Sequence, residues 1–179
     1  MQLLKNDFCQ LRALEMSDVD FLYRLENDTS LWEVSQTLLP FSRYVLEQYI
    51  IEAQQDIYKS QQLRLAICSA QKQLVGCIDL YDFSPLNQRA GVGIALLPEH
   101  RKQGFALNAL QLLCQYAFNF LHLHQLYAYI SQKNTASQRL FSKADFTPSG
   151  TKKDWILGAE GFEDVMIFQR IKQKINVVP

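Results

Sequence analysis

Residues 94–107 read Ile94-Ala95-Leu96-Leu97-Pro98-Glu99-His100-Arg101-Lys102-Gln103-Gly104-Phe105-Ala106-Leu107. An apolar strand stops at Pro98, a short basic turn carries one glycine, and an amphipathic helix follows. The first turn of a helix leaves backbone N–H groups unpaired, and the helix dipole adds partial positive charge there. A strand that feeds such a terminus through a basic, glycine-containing turn is built to hold an anion, and adjacent phosphates fit it. The spacing is neither Gly-x-x-x-x-Gly-Lys-Ser/Thr nor Gly-x-Gly-x-x-Gly, so the P-loop and the dinucleotide fingerprint are both excluded.

Outward from that stretch, the chain alternates strands and helices. Strands are expected over residues 8–14, 63–69, 74–83, 88–97, 126–131, 146–157 and 162–171. A helix follows Ser17-Asp18-Val19-Asp20, with Ser17 as its cap, and carries Phe21, Leu22 and Leu25. Residues 29–40 read as loop or short helix. Ser42 caps a second helix reaching Tyr58. The third helix starts at Gly104, and Ala106, Ala109, Leu110, Leu113, Cys114, Ala117 and Leu121 keep a 3.6-residue period along it. A short helix spans residues 134–143. Strands four and five are joined through the helix at Gly104 and are therefore expected to run parallel, with the anion turn at the carboxyl end of strand four. An extended ligand arm can lie there as a guest strand.

Composition narrows the class. The 179 residues are expected to form a single domain, residues 1–179, with one mixed α/β core. Lys plus Arg equals Asp plus Glu at 18 each, so no global field draws the chain to nucleic acid or to a membrane surface. No apolar run is long enough to span a bilayer, and the start of the chain lacks a leader pattern, which points to a cytoplasmic protein. Cys68, Cys77 and Cys114 sit in apolar segments and read as buried hydrophobes. His122 and His124 read as the polar tail of a helix, and no metal is implied.

The pattern Arg101-x-x-Gly104-x-Ala106 resembles the acyl-CoA diphosphate loop of the GCN5-related N-acetyltransferase (GNAT) family. Asn134, followed by Leu140-Phe141 and by Asp145-Phe146, resembles that family's segment after the fifth strand. Leu11-Arg12-Ala13-Leu14-Glu15-Met16-Ser17-Asp18 and Gly161-Phe162-Glu163-Asp164-Val165-Met166 resemble the opening and closing segments of the branch that acetylates ribosomal-protein N-termini and polyamines. The resemblance implies an acyl-CoA N-acyltransferase fold. This is an α/β (α+β) mixed sheet of about seven strands, helices on both faces, and parallel central strands four and five. It implies acetyl-CoA as co-substrate, with the diphosphate on Arg101, Lys102, Gln103, Gly104, Phe105, Ala106 and Leu107. The pantetheine arm would run along Ile94, Ala95 and Leu96 and reach Asn134 and Phe141. The implied reaction moves an acetyl group to a primary amine, on a small molecule, a polyamine or a peptide N-terminus, by direct attack.

Two departures bear on mechanism. Phe141 stands where many members carry a Tyr that protonates the leaving thiolate, and Asp145 replaces a Gly. A thiol with reference pKa about 8.5 needs little acid help to leave near neutral pH. Ser137, four residues before Phe141 and on the same helical face, is a candidate to bond the sulfur or simply to touch CoA. An alkylammonium near pKa ~10.4 must lose its proton first, and Asp79 and Tyr129 are the candidate bases flanking the cleft. Cys77 has no His or acid beside it in sequence and reads as core. Polyamine-specific relatives hold their acceptor with acids after the first helix; Glu26, Asp28 and Glu33 lie there, followed by apolar Leu38-Leu39-Pro40-Phe41. Trp32, Leu38, Leu39 and Phe41 either line the acceptor pocket or pack the core. The alternative to an enzyme is a catalytically weak or inactive acyl-CoA-binding regulatory module, for which Phe141 is the best support. Lys152-Lys153 and Arg170, Lys172 and Lys174 read as a solvated edge. The acceptor and a homo-oligomeric state stay open.

Overall fold

The central strands are near-continuous apolar runs buried on both faces, as strands covered by helices on either side must be. The computed structural model describes residues 3–53, 55–158 and 160–173. The strands are β1 (Cys9–Ala13), β2 (Leu63–Ser69), β3 (Leu74–Ser84), β4 (Arg89–Leu96), β5 (Gln125–Ser131), β6 (Thr147–Gly158) and β7 (Gly161–Ile171). They lie in the order β1-β2-β3-β4-β5-β7-β6. Every neighbouring pair is antiparallel except β4 and β5, which run parallel as the crossover requires.

Helix α5 (Phe105–Asn119) covers one face. Its Ala109, Leu110, Leu113, Cys114 and Ala117 pack on Leu11, Ile67, Ile78, Leu80 and Val92. Helices α1 (Val19–Glu26) and α3 (Arg43–Glu52) cover part of the other face. There Leu22, Leu25, Leu46 and Ile50 meet Ala66, Cys77 and Leu97. Consecutive side chains of a strand point to opposite faces, so Asp79 and Tyr81 share this second face with Cys77. Helices on both faces of a mixed seven-stranded sheet are the expected fold.

Two local expectations change, and one left open is decided. The first turn, Met16–Asp18, is 3-10, and the capping pair is Glu15 with Asp18 rather than Ser17. Asp18 is committed elsewhere as well: Arg12 donates to both its oxygens at 2.7 and 2.9 Å, and the Glu15 amide donates at 2.9 Å. The helix expected from Ser42 to Tyr58 ends at Glu52, and a separate turn, α4 (Ile57–Ser60), begins after it. Ser42 does cap α3, accepting from the Val45 amide. Asp56 accepts from the Tyr58 amide, and this local bond competes with helix continuation and restarts the chain. Residues 29–40 contain a true short helix, α2 (Thr29–Ser35), capped by Asp28 and closed by left-handed Gln36.

The feature that positions the site is where the parallel pairing stops. β4 and β5 are in register only at Arg89↔Gln125, Ala90↔Leu126 and Gly91↔Tyr127. Beyond Gly91, β4 stays with β3 as far as Leu96↔Gly76, while β5 stays with β7 as far as Ser131↔Val165. The sheet therefore opens into a V at its centre. The ring of Tyr81 occupies the space a side chain on residue 91 would need, so only glycine fits there.

Candidate active site

The turn after β4, expected to hold an anion, has a strand–turn–helix geometry. Pro98–His100 forms a 3-10 turn, Lys102 is left-handed at φ 60°, and Gly104 caps α5 at φ 91°. A non-glycine residue at Gly104 would be strained, because a Cβ clashes with backbone in that region. Among the described residues, the amides from Lys102 to Leu107 make no backbone hydrogen bond. They stand at the positive end of a 15-residue helix.

The side chains of this turn mostly brace it. Arg101 donates its Nε to the Leu96 carbonyl at 3.1 Å, and Gln103 donates to the Glu99 carbonyl at 2.6 Å. One guanidinium nitrogen of Arg101 lies 3.5 Å from the Asp28 carboxylate. Both of those atoms are buried without a hydrogen-bond partner. Phe105 packs its ring on Phe8, with centroids 4.9 Å apart, and Ala106 and Leu107 lean half-buried on the main core. Lys102 is exposed. Asn108, not anticipated from the sequence, accepts from Asn6 and donates to the Gly104 carbonyl, pinning the helix start to the N-terminal segment.

Above the turn lies a cleft of about 810 Å³ between the diverging strands. Ile94 and Ala95 form its β4 wall. Leu96, expected beside them, turns its side chain into the core and contributes only its carbonyl, to Arg101. Asn134, Ser137 and Phe141 line the opposite side from α6 (Thr135–Lys143). Asn134 spends its carbonyl oxygen capping α6, accepting from the Ser137 amide at 3.0 Å. Among the described residues nothing bonds the Ser137 hydroxyl. Phe141 is buried and meets Phe146 edge-on at 5.0 Å.

The second face of the sheet supplies charge. Asp79 lines the cleft, yet both its oxygens are held by Arg64, at 2.5 and 3.2 Å. Arg64 also donates to Glu26 at 2.7 Å and lies over the Tyr49 ring. Across the cleft, Lys133 lies 2.7 Å from Glu163 and 3.1 Å from Glu160, and Ser131 donates to Glu163. The hydrogen bonds from Lys133 and Ser131 hold the Glu163 carboxyl below its usual range. Counting lining side chains, Glu26, Asp79, Glu160 and Glu163 face Arg64 and Lys133, so the cleft is net negative. Tyr129 lines it too, half in solvent. Tyr81 lies beneath, its phenol raised by burial.

Other sequence candidates fall elsewhere. Trp32 donates to the Glu26 carbonyl at 2.8 Å, Phe41 packs against α1 and α3, and Leu38 and Leu39 are in solvent; none of them lines the cleft. Of the proposed acids, Glu26 lines the cleft and Asp28 faces Arg101; the Glu33 side chain lies outside the described residues. Cys77 is fully buried and its thiol is pushed far up by burial, which removes the thiolate a nucleophile needs. Lys153 pairs with Asp164, Arg170 with Asp145, and Lys172 donates to the Phe118 carbonyl. Lys174 lies outside the described residues. Arg64, Tyr81, Lys133, Trp155, Glu160 and Glu163 were not foreseen as site residues. Arg64 carried a usable signal, as the one charge in an otherwise apolar strand.

Comparison with known proteins agrees with this geometry. The family model described as an acetyltransferase (GNAT) domain matches residues 9–147. A spermidine N(1)-acetyltransferase of Vibrio cholerae serotype O1 is 27% identical over 149 residues, covering 81% of this chain and 82% of that protein. An uncharacterized N-acetyltransferase, p20, of Bacillus licheniformis is 26% identical over 176 residues, covering 97% and 98%. The crystal structure of the spermidine N-acetyltransferase from Vibrio cholerae with CoA and spermine superposes with a TM-score of 0.84 at 25% identity, over 93% of this chain and 96% of that one.

Proposed function

The chain belongs to the GNAT acetyltransferase family, as an acetyl-CoA-dependent N-acetyltransferase, and we propose that its acceptor is a small cationic primary amine of the polyamine class. One observation carries this reading: the cleft that opens where β4 and β5 part is lined by four carboxylates and two cations. Such a surface favours an ammonium and disfavours an anionic acceptor. The relatives named for spermidine, one of them crystallised with spermine, support the same class.

The roles follow from position. The unpaired amides of residues 102–107 bind the diphosphate of acetyl-CoA, with Gly104 allowing the turn and Arg101 bracing it. Ile94 and Ala95 flank the pantetheine arm from one side, with Asn134 and Phe141 opposite. The backbone edge of β4, released from β5 beyond Gly91, offers N–H groups that polarise the thioester carbonyl. At pH 7 only about one alkylamine in a few thousand is neutral. Asp79, already held by Arg64, takes the proton through water, with Tyr129 as the other candidate on that wall. The neutral amine then attacks the carbonyl directly. Phe141 cannot donate a proton, so the departing thiolate relies on its own low basicity and on a hydrogen bond from Ser137.

Thiol release from acetyl-CoA across an amine panel, with the product confirmed by mass, tests the reading. Spermidine and simple diamines are expected to be turned over with far higher kcat/KM than amino acids or neutral-tailed peptides. Tight CoA binding with no acceptor-dependent release would refute it and favour a binding module.

A further inference from the structure

Lys152 holds an unusual place for a lysine on an edge strand. Its ammonium lies 3.8 Å from the centroid of the Tyr129 ring and 4.0 Å from that of Trp155. Among the described residues it has no carboxylate partner, in contrast to its neighbour Lys153, which pairs with Asp164 at 2.6 Å. Both distances are well within the range at which a ring face attracts a cation. Tyr129 and Trp155 also line the active-site cleft, and both are partly open to solvent.

The slot is built rather than incidental. The β6–β7 register shifts between Lys152 and Ile156, a bulge of the kind that re-aims a side chain next to a site. Asp154 sits at φ 47° within it. Asp164 clamps that bulge from below, accepting from the Asp154 amide at 3.1 Å and from Lys153 at 2.6 Å. This fixes Trp155 opposite Tyr129, and Tyr129 is fixed in turn by its register with Ile167.

We propose that Tyr129 and Trp155 form a subsite for a second, non-reacting ammonium of the acceptor, and that Lys152 fills it until such an acceptor arrives. This rests on the amine-acetyltransferase reading and deepens it. A cation held by two partly exposed ring faces is bound weakly, so a competing ammonium displaces it readily. An acceptor whose other amine is already in the cleft presents its distal ammonium to the slot at high effective concentration. Lys152, on a flexible four-carbon stem, moves out to water. A monoamine has nothing to put there and leaves Lys152 in place. The slot thus selects amines with two cationic groups, and Lys152 sets the threshold.

The test compares diaminoalkanes from propane to octane chain length with the matching monoalkylamines, by thiol release from acetyl-CoA. Lys152→Met, which keeps the stem and removes the charge, is expected to lower KM for the best diamines about two- to fivefold, the span that 0.5–1 kcal/mol represents, and to leave monoamines unchanged. Trp155→Leu is expected to raise KM for diamines alone. Lys59→Met, at an exposed lysine that does not line the cleft, removes the same net charge away from the slot and is expected to leave the diamine preference as it was. An equal gain for mono- and diamines in Lys152→Met, or an equal gain in Lys59→Met, overturns the proposal. Binding is read separately through the indole N–H resonance of Trp155, with that of Trp32 as internal reference. The Trp155 signal is expected to move with diamines and not with monoamines, and an unmoved signal also overturns the slot. Absence of turnover with every amine, while the indole still responds to diamines, would sink the functional reading and leave the slot standing.

Discussion

Replacing Arg64 by Met tests whether the cleft floor is a buried charge network or a solvated surface. The guanidinium serves two carboxylates, both oxygens of Asp79 and one of Glu26. The three side chains are only 20, 13 and 17% exposed, for Arg64, Asp79 and Glu26 in turn. Met keeps the apolar stem against the Tyr49 ring, so packing changes little and the loss is electrostatic. Removing one partner of a buried pair costs about 3–5 kcal/mol, because the charge left behind is neither solvated nor paired. For a chain of this size that corresponds to a fall in Tm of about 6–20 °C. Thermal melts followed by circular dichroism at neutral pH measure it. Adding Glu26→Gln and Asp79→Asn should restore most of the loss, as neutral replacements of a buried ionic cluster commonly do. A deficit under about 1 kcal/mol, the range of exposed ion pairs, would show that water already screens these groups. The charge argument for the acceptor would then fall with it.

Three further outcomes are expected. Ser137→Ala should lower kcat about five- to tenfold, the worth of one hydrogen bond of 1–1.5 kcal/mol, with the KM for acetyl-CoA unchanged; steady-state kinetics giving wild-type turnover would remove Ser137 from the mechanism. Gly104→Ala should cost about 1–2 kcal/mol, because Ala is forced into a left-handed backbone, and should raise the KM for acetyl-CoA; an unaltered Tm and KM would contradict the cradle geometry. Burial works against the charge of Asp18, but the hydrogen bonds from Arg12 and the Glu15 amide outweigh it and hold the carboxyl below its usual range. That stabilisation is fully present above the unfolded value near pH ~3.9 and is lost as pH falls through the lower folded value. Arg12→Met should therefore unfold at higher pH in an acid titration than the wild type, and coincident acid transitions would refute the pairing.

The fold was legible because it is written in local signals. The β-rich composition of residues 63–69 and 74–83 with a four-residue turn between them, the helical period from Ala106 to Leu121, and the Pro98-to-Gly104 turn between strand and helix each depend on a few neighbouring residues. Those signals place β2 to α5 with boundaries within a residue or two. The one elongated helix read from Ser42 to Tyr58 failed for an equally local reason: Asp56 caps a new turn, and the apolar period continues across the break.

By itself the sequence determined the chain order of strands and helices, the parallel crossover, and the tight turn from Pro98 to Gly104 that joins strand to helix, because backbone hydrogen bonding and side-chain periodicity act over short spans. Tertiary structure alone decided which charges meet. Arg64, Asp79 and Glu26 lie 15 and 38 residues apart in the chain, and Lys152 meets Tyr129 only after β6, β7 and β5 are laid side by side. Coulomb and cation–π attraction depend on distance in space and on the water excluded around it, neither of which sequence spacing encodes.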